Sequence, residues 1–390
     1  MNKKVICYNS LMKNEIDIII IGAGASGLFL ASHLKHKSYL ILEHNPKIGM
    51  KIMVSGGGKC NLTNEDLSSQ NYLANPRFVQ HVIKRFDQDQ LLSWLGDQGL
   101  IPELKKKNQY FCKHSADELI RVFKKNINMQ NIKLNLSVLN VKKEGEMFRV
   151  ESDKGVFWSK AVVVATGGLS FPKLGASGIG YEIAQSFGHT IVPAKPALVG
   201  LTLQPEQFFF KSLAGVSTEV MISVGEKKLR GSLLFAHKGI SGPVVLNASL
   251  YWEKGKITID FLPDSNLKSL QNAKKKISNL LGVPSRLSRL FLEQLGIEDK
   301  PACRLIPQEW AKLEQLRSYT FAPAGTFGYT KAEVTKGGID TSQVDAGSMM
   351  SKKVDNLYFL GEVLDVTGEL GGYNFQWAFS SAFVCAKAIE

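Results

Sequence analysis

Apolar residues gather into a few runs long enough to be buried strands, and the segments between them alternate in spacing. Ile16 to Ile21 is an almost unbroken aliphatic run, the pattern of a strand covered on both faces in a parallel sheet. Tyr39 to Leu42, Ala161 to Ala165 and Asn356 to Leu360 repeat it. Helical spacing predicts helices over Leu28–Leu34, within Pro76–Gly99 and Ser115–Asn126, over Tyr181–Phe187, and from Tyr373 to Ile389. Gln109 to Cys112 reads as a short strand or turn. Ile132–Val141 and Met147–Val150 alternate like paired strands about Glu144-Gly145. Residues 49 to 64 read as a loop, because Gly56-Gly57-Gly58 suits neither helix nor strand.

The texture changes after Thr190. Leu198–Leu203, Val216–Val224, Lys228–Phe235 and Ile257–Phe261 are short β-rich pieces, which predict a small barrel-like domain. Leu267–Leu295 and Glu309–Leu316 read as helical, and Tyr319–Lys331 as a return to β structure. The expected architecture is α/β: a split Rossmann-like domain (16–190 and 332–390), an inserted β-barrel-like domain (191–262 and 319–331) and a helical insert within it (263–318). Residues 1–15 read as a flexible extension. A chain of 390 residues is too long for one ordinary core, which agrees with several domains.

Composition narrows the class. The 44% hydrophobic content is ordinary for a globular protein, and no run approaches the ~18 apolar residues of a membrane helix. The N-terminus lacks a signal peptide's apolar core. Five scattered cysteines without CxxC spacing argue for a reducing cytoplasm, and against disulfides or a structural metal site. The net charge of +13 would suit an anionic partner, but the tightest basic runs, Lys105-Lys106-Lys107 and Lys274-Lys275-Lys276, are only three long. Solvated faces account for them, so a small-molecule substrate is expected ahead of a nucleic acid.

The chemistry concentrates where buried runs end. After Ile21 comes Gly22-Ala23-Gly24-Ala25-Ser26-Gly27, the spacing of a dinucleotide turn. Gly22 allows the tight turn, Gly24 lets a pyrophosphate approach the backbone, and Gly27 lets helix and strand pack closely. The phosphates would meet the helix N-terminus. Glu43, ending the second strand, is placed to accept from ribose hydroxyls and to repel a 2′-phosphate, favouring FAD or NAD over NADP. Ser55, Gly56, Gly57, Lys59, Cys60 and Asn61 form a donor-rich stretch suited to an extended polar ligand. Ala165-Thr166-Gly167 and Gly361-Glu362 end two further strands, and Gly371-Gly372-Tyr373-Asn374 opens the last helix. Gly178-Ile179-Gly180 follows no buried strand, so it is not a second nucleotide fingerprint, and a nicotinamide site of its own is missing.

Four stretches resemble the bacterial FAD-binding family labelled BaiN/YhiN-like, within the two-dinucleotide-binding-domain flavoproteins. They are Lys51–Asn61, Ala165–Lys173, His237–Pro243, and Gly361–Asp365 with Gly371–Asn374. The resemblance runs from Ile16 to the C-terminus. It implies non-covalent FAD held by the residues named above together with Lys51 and Val138, with NAD(P)H as an external electron donor. It further implies an FAD-dependent oxidoreductase, some relatives being reductases of conjugated C=C bonds in steroid-like acids. Ile179 and Ala236 stand where the family commonly has an acid and a threonine.

For such a reduction a proton donor is needed opposite the hydride. His237, Tyr373 and Lys173 are the candidates, led by His237 because histidine ordinarily titrates near neutral pH. The isoalloxazine is expected where the nucleotide and β domains meet. A flavin-dependent RNA-modifying enzyme and a non-enzymatic FAD redox protein are the alternatives. No metal is called for.

Overall fold

The computed structural model describes residues 16–105 and 108–390; the extension 1–15 with Cys7, and Lys106 and Lys107 of the first basic run, lie outside the described residues. The chain forms two compact units. One takes the residues up to Lys195 with Val334–Glu390, the other Pro196–Glu333.

The first unit opens with β1 (Ile16–Ile21), α1 (Ala25–Ala31) and β2 (Tyr39–Leu42). Then come α2 (Met50–Val54), β3 (Asn61–Asn64), β4 (Tyr72–Leu73), α3 (Pro76–Ile83), α4 (Gln88–Asp97), β5 (Glu103–Lys105), β6 (Gln109–Phe111) and α5 (Asp117–Asn126). β7 (Ile132–Lys133), β8 (Val138–Glu144), β9 (Met147–Ser152), β10 (Gly155–Val164), α6 (Ile179–Ser186) and β11 (Ile191–Ala197) follow. The main sheet is ordered β7-β2-β1-β10-β9-β8. β1 lies parallel to both β2 and β10, and Ile18, Ile19 and Ile20 are essentially inaccessible. An aliphatic side chain on either face of such a strand is removed from water, which is why the run is nearly unbroken. Within this one sheet β10 changes partners: its first half pairs antiparallel with β9, its second half parallel with β1. β3, β6 and β5 make a separate three-stranded sheet.

The second unit contains β12 (Leu201–Thr202), β13 (Ser217–Val224), β14 (Lys227–Ala236), β15 (Gly239–Ser241), α7 (Pro243–Tyr251), β16 (Ile257–Asp260), α8 (Leu267–Leu270), α9 (Ser285–Leu295), α10 (Pro307–Glu314), β17 (Tyr319–Phe321) and β18 (Gly325–Thr326). Its sheet runs β17-β16-β13-β14-β15-β12-β18. The pairing is a path from β17 to β18, and barrel-like closure is not among the described strand pairs. Phe210, Phe235, Phe261 and Phe291, contributed by loop, sheet and α9, pack in one core with Leu313 of α10, so the helices share the sheet's interior.

The chain then returns to the first unit through β19 (Val334–Ile339), β20 (Leu357–Phe359), β21 (Thr367–Gly368) and α11 (Tyr373–Ile389). β20 adds a seventh strand to the main sheet, parallel to β10. α11 packs on α1, with the Phe29 and Phe379 rings 4.9 Å apart.

Several expectations are corrected. The first helix begins at Ala25, not Leu28, because extended Gly24 already serves as its N-cap, and it ends at Ala31. Within the stretch expected to be a loop, Met50–Val54 is helical and Asn61–Asn64 is a strand. Between them Gly56, Gly57, Gly58 and Cys60 all have positive φ. The Pro76–Gly99 helix is broken where Asp87 accepts from the Gln90 N–H and starts α4. The strand expected over Ile132–Val141 is two strands, interrupted at Asn135 with φ +53°. Leu267–Leu295 is helical only at its ends, since Gly282 turns the chain and Pro284 caps a new start for α9. α7 occupies a segment where no helix is predicted, although Pro243 directly after Gly242 is a start signal.

Candidate functional site

The Gly22–Gly27 turn joins β1 to α1. The Gly22 N–H donates to the Leu42 carbonyl at 2.9 Å, with φ +108°. A Cβ there would lie 2.6 Å from the Ala165 carbonyl oxygen, so only glycine lets the β1 and β10 ends close up. At Gly27 a Cβ would lie 2.1 Å from the Gly22 carbonyl oxygen, which fixes glycine at the helix–strand contact. Gly24 differs: a Cβ there would meet no protein atom within 4 Å. Its glycine is not demanded by protein packing. The open side of the turn is what a bound pyrophosphate would fill, and the site's residues fit a dinucleotide on that count.

Glu43 is buried at the end of β2 and ties the turn together. Its Oε2 accepts from the Ala23 N–H at 2.7 Å and its Oε1 from the Asn45 N–H at 2.8 Å. His44 Nδ1 also lies 3.2 Å from Oε1, so the carboxylate's free lone-pair capacity for a ribose hydroxyl is on Oε2. The Leu136 N–H donates to the Glu43 carbonyl, which runs the segment leading to Val138 alongside the same strand end. Ser26 is buried within α1, beneath Gly361.

At the end of β10, the Ala165 N–H donates to Ile21 and Gly167 adopts φ +72°. Thr166 Oγ1 is buried and has no hydrogen-bond partner in the protein. A Cβ on Gly180 would fall 2.1 Å from that oxygen. Close approach to Thr166 thus explains Gly180 without any second nucleotide fingerprint.

Lys51 of α2 donates to Glu362 Oε2 at 2.6 Å, joining residues 311 positions apart in one ion pair. Gly361 has φ +68°; its carbonyl accepts from the Trp377 indole at 3.0 Å and its N–H donates to Ser381 Oγ at 3.1 Å. Gly371 accepts from Asn64 Nδ2 at 3.0 Å. A Cβ on Gly372 would lie 2.5 Å from the Thr63 carbonyl oxygen. Asn374 clasps Gly368 with two bonds of 2.9 Å. The strand β3, the Gly368–Gly372 turn and the start of α11 are therefore one assembly.

Ser55 Oγ donates to the Ile52 carbonyl, closing α2 before the glycine turn. Lys59 Nζ reaches the Lys113 carbonyl at 3.4 Å. Asn61 Nδ2 donates to Gln109 Oε1 at 2.7 Å across β3 and β6. Cys60 has φ +46° and is fully buried beside Cys112, whose N–H reaches the carbonyls of Lys59 and Cys60. Burial pushes the Cys60 thiol up, and it pushes Cys112 up to about 11. Both are protonated packing groups, unlike the exposed thiolates of redox sites.

The proton-donor candidates are distributed. Tyr373 opens α11 and is buried, with its hydroxyl 3.5 Å from the Asp66 carbonyl; burial pushes the phenol up to about 12. Lys173 lies exposed in the turn Pro172–Leu174 of the first unit. His237 is exposed on the turn between β14 and β15 of the second unit. No local sequence signal marks Gln109 or Gln376. Gln376 Oε1 accepts from Thr63 Oγ1 at 2.6 Å and its Nε2 donates to the Phe86 carbonyl at 3.1 Å, so it braces β3 against α11 from a helix position that reads as core. Among the described residues, no group of three or more His, Cys, Asp or Glu is arranged to hold a metal ion, and no helix is long and apolar enough to cross a membrane.

The HI0933-like protein Rossmann domain family matches residues 16–388. A Haemophilus influenzae protein named ribosomal RNA dihydrouridine synthase is 38% identical, covering 97% of this chain and all of its own length. An Escherichia coli protein of the same name is 39% identical over 96% of this chain and 98% of its own. A Clostridium scindens protein named 3-dehydro-bile acid delta(4,6)-reductase is 31% identical over 95% of this chain and 98% of its own. On this match over nearly the whole chain, it belongs to the HI0933-like family and has its α/β Rossmann-like, FAD-binding type of fold.

Proposed function

We propose that the protein is an FAD-dependent reductase of a carbon–carbon double bond conjugated to a carbonyl, and that its substrate is a uracil base in ribosomal RNA. The observation that carries the reaction class is chemical. The relatives' names describe two very different substrates with one shared electronic feature. In uridine the C5=C6 bond is conjugated to the C4 carbonyl; in a 3-keto-Δ4,6 steroid acid the diene is conjugated to the C3 ketone. In both, a hydride equivalent adds to the carbon distal to the carbonyl, and a proton adds to a carbon of the same conjugated system. The higher identity of the two RNA-modifying relatives, at nearly full coverage of both chains, favours RNA as substrate. The net charge of +13 suits a polyanion.

FAD, when bound, supplies the two-electron hydride chemistry. The protein's own groups hold and orient it. Gly22, Ala23, Gly24, Ala25, Ser26 and Gly27 form the pyrophosphate turn, and Glu43 offers its free Oε2 lone-pair capacity to the ribose. Thr166, Gly167, Glu362 with Lys51, and the Gly371–Asn374 turn extend the cradle. Tyr373, its phenol at about 12, holds its proton at neutral pH too firmly to be a matched acid. His237 is the proposed donor, with Lys173 behind it. A small conjugated enone is the second reading, favoured by the bile-acid reductase relative.

The test is single turnover. Anaerobically reduced protein is mixed either with ribosomal RNA transcribed without modifications or with a 3-keto-Δ4 steroid acid, and products are read by mass spectrometry. Dihydrouridine in the RNA supports the first substrate, and a reduced steroid alone supports the second. Failure of both to reoxidise the flavin excludes the reaction class. His237→Ala should keep its flavin and lose product formation; unchanged turnover would remove His237 from the mechanism.

A further inference from the structure

We propose that Thr335, in β19, is a positioning residue that sets the register of three separate segments of the FAD cradle; the proposal rests on the FAD reading above. Thr335 is fully buried. Its Oγ1 accepts from the Leu169 N–H at 2.8 Å and the Ser170 N–H at 3.0 Å, and it shares a hydrogen with Ser170 Oγ at 3.0 Å. A hydroxyl has two acceptor positions and one donor, so this group is fully used. The bonds hold the turn directly after Thr166-Gly167, where Phe171 adopts φ +63°. Contact is close enough that a Cβ on Gly168 would lie 2.6 Å from Thr335 Cβ.

The backbone of the same residue reaches two other segments. The Thr335 N–H donates to Glu362 Oε1 at 2.9 Å, while Lys51 takes Oε2, so both oxygens of that carboxylate are oriented. The Thr335 carbonyl accepts from Thr367 Oγ1 at 3.4 Å, at the strand that leads into Gly368–Gly372. Residues about 165 positions apart are brought together through one buried side chain. Leu169 and Ser170 have their N–H groups aimed at Thr335 Oγ1. Without that oxygen, the turn must rotate to find other acceptors, because a buried unpaired donor is costly. Gly167 and Thr166 would move with it.

The experiment compares Thr335→Val, which keeps the shape and removes the acceptor, with Thr335→Ser, which keeps the acceptor. FAD is titrated into apoprotein at a temperature where thermal melting shows each variant folded, so loss of global stability cannot enter the Kd. Thr335→Val should weaken FAD by about tenfold or more, and Thr335→Ser should restore affinity to within about twofold of wild type. Equal affinity in Thr335→Val and wild type, or a Thr335→Ser variant as weak as Thr335→Val, would overturn the proposal. Wild-type apoprotein that takes up no FAD would instead sink the cofactor reading itself. Hydrogen exchange on wild-type apoprotein gives a result even if Thr335→Val does not fold. The Leu169 and Ser170 amides should be protected before FAD is added, and free exchange until FAD binds would show that the cofactor, not Thr335, orders the turn.

Discussion

At the scale of single residues, two glycines of one turn have opposite reasons for being glycine. Gly27 is demanded by the protein, since a Cβ would stand 2.1 Å from the Gly22 carbonyl oxygen. Gly24 is not, since a Cβ there meets nothing within 4 Å and its φ of −85° suits any residue. Gly27→Ala should therefore destabilise the fold by about 1–3 kcal/mol, the usual cost of overpacking a tight contact. Gly24→Ala should melt close to wild type but lose FAD affinity, because the methyl occupies the space a pyrophosphate needs. Thermal melts and FAD titrations of both variants check this. A Gly24→Ala protein that binds FAD normally would mean that the open side of the turn is not the phosphate side.

At the scale of elements, the first unit is held as an assembly by buried polar bonds between segments far apart in the chain. Gln376 shows this best. It joins Thr63 of β3, the Phe86 carbonyl after α3 and Ser380 one turn along α11. Gln376→Leu would leave the Thr63 hydroxyl without its acceptor, at roughly 1–3 kcal/mol for a buried group left unsatisfied, while the Phe86 carbonyl keeps its bond from Ser380 Oγ at 2.6 Å. Urea unfolding should show that loss, together with weaker FAD binding as the start of α11 loosens. An unfolding midpoint equal to wild type would show that water takes the glutamine's place at Thr63.

These long-range bonds also mark what a linear reading can reach. β1, β2 and α11 match their predicted bounds because burial of the strands, the glycine that ends β1 and the glycine before α11 leave a local pattern. Glu43 was legible for the same reason: it follows a buried run at a fixed distance from the glycines. Thr335 was not, because its partners Leu169 and Ser170 lie in another part of the chain and threonine in a β-rich stretch carries no signal of its own. Gln376 was equally silent. α9 reads from the sequence as part of one long helix, since the apolar spacing continues across the glycine and proline that separate it in the fold.

At the scale of the molecule, stability should depend on pH through two histidines of the first unit, half-buried His33 and buried His189. His33 Nδ1 donates to the Phe29 carbonyl at 2.8 Å among Phe29, Trp94 and Phe383, and burial holds its pKa below the usual value, with Lys387 and Lys35 adding to the effect. His189, against Phe359 and Ser351, is lowered by burial and then by Lys353. Both are neutral when folded, whereas the unfolded chain takes up a proton below about pH 6.5. Their stability contribution is complete above that pH and is lost as pH falls toward the folded pKa values. Asp17, lowered by its bonds to Ser38 and by Lys160, and Glu309, lowered by Lys300 and the Ile306 N–H, act in the same direction but only below about pH 4. The melting midpoint should therefore fall between about pH 7 and 5.5, before the carboxylates contribute. A flat midpoint over that interval would mean that neither histidine resists protonation.

On the function proposed above, this fold holds FAD and passes its electrons to a conjugated double bond in RNA. Stopped-flow absorbance tests it most directly: anaerobically reduced protein is mixed with unmodified ribosomal RNA, and the oxidised-flavin band is followed. The account predicts that the band returns and that one dihydrouridine appears for each flavin reoxidised. Flavin that stays reduced in excess RNA, or protein purified gently without any flavin, would contradict it.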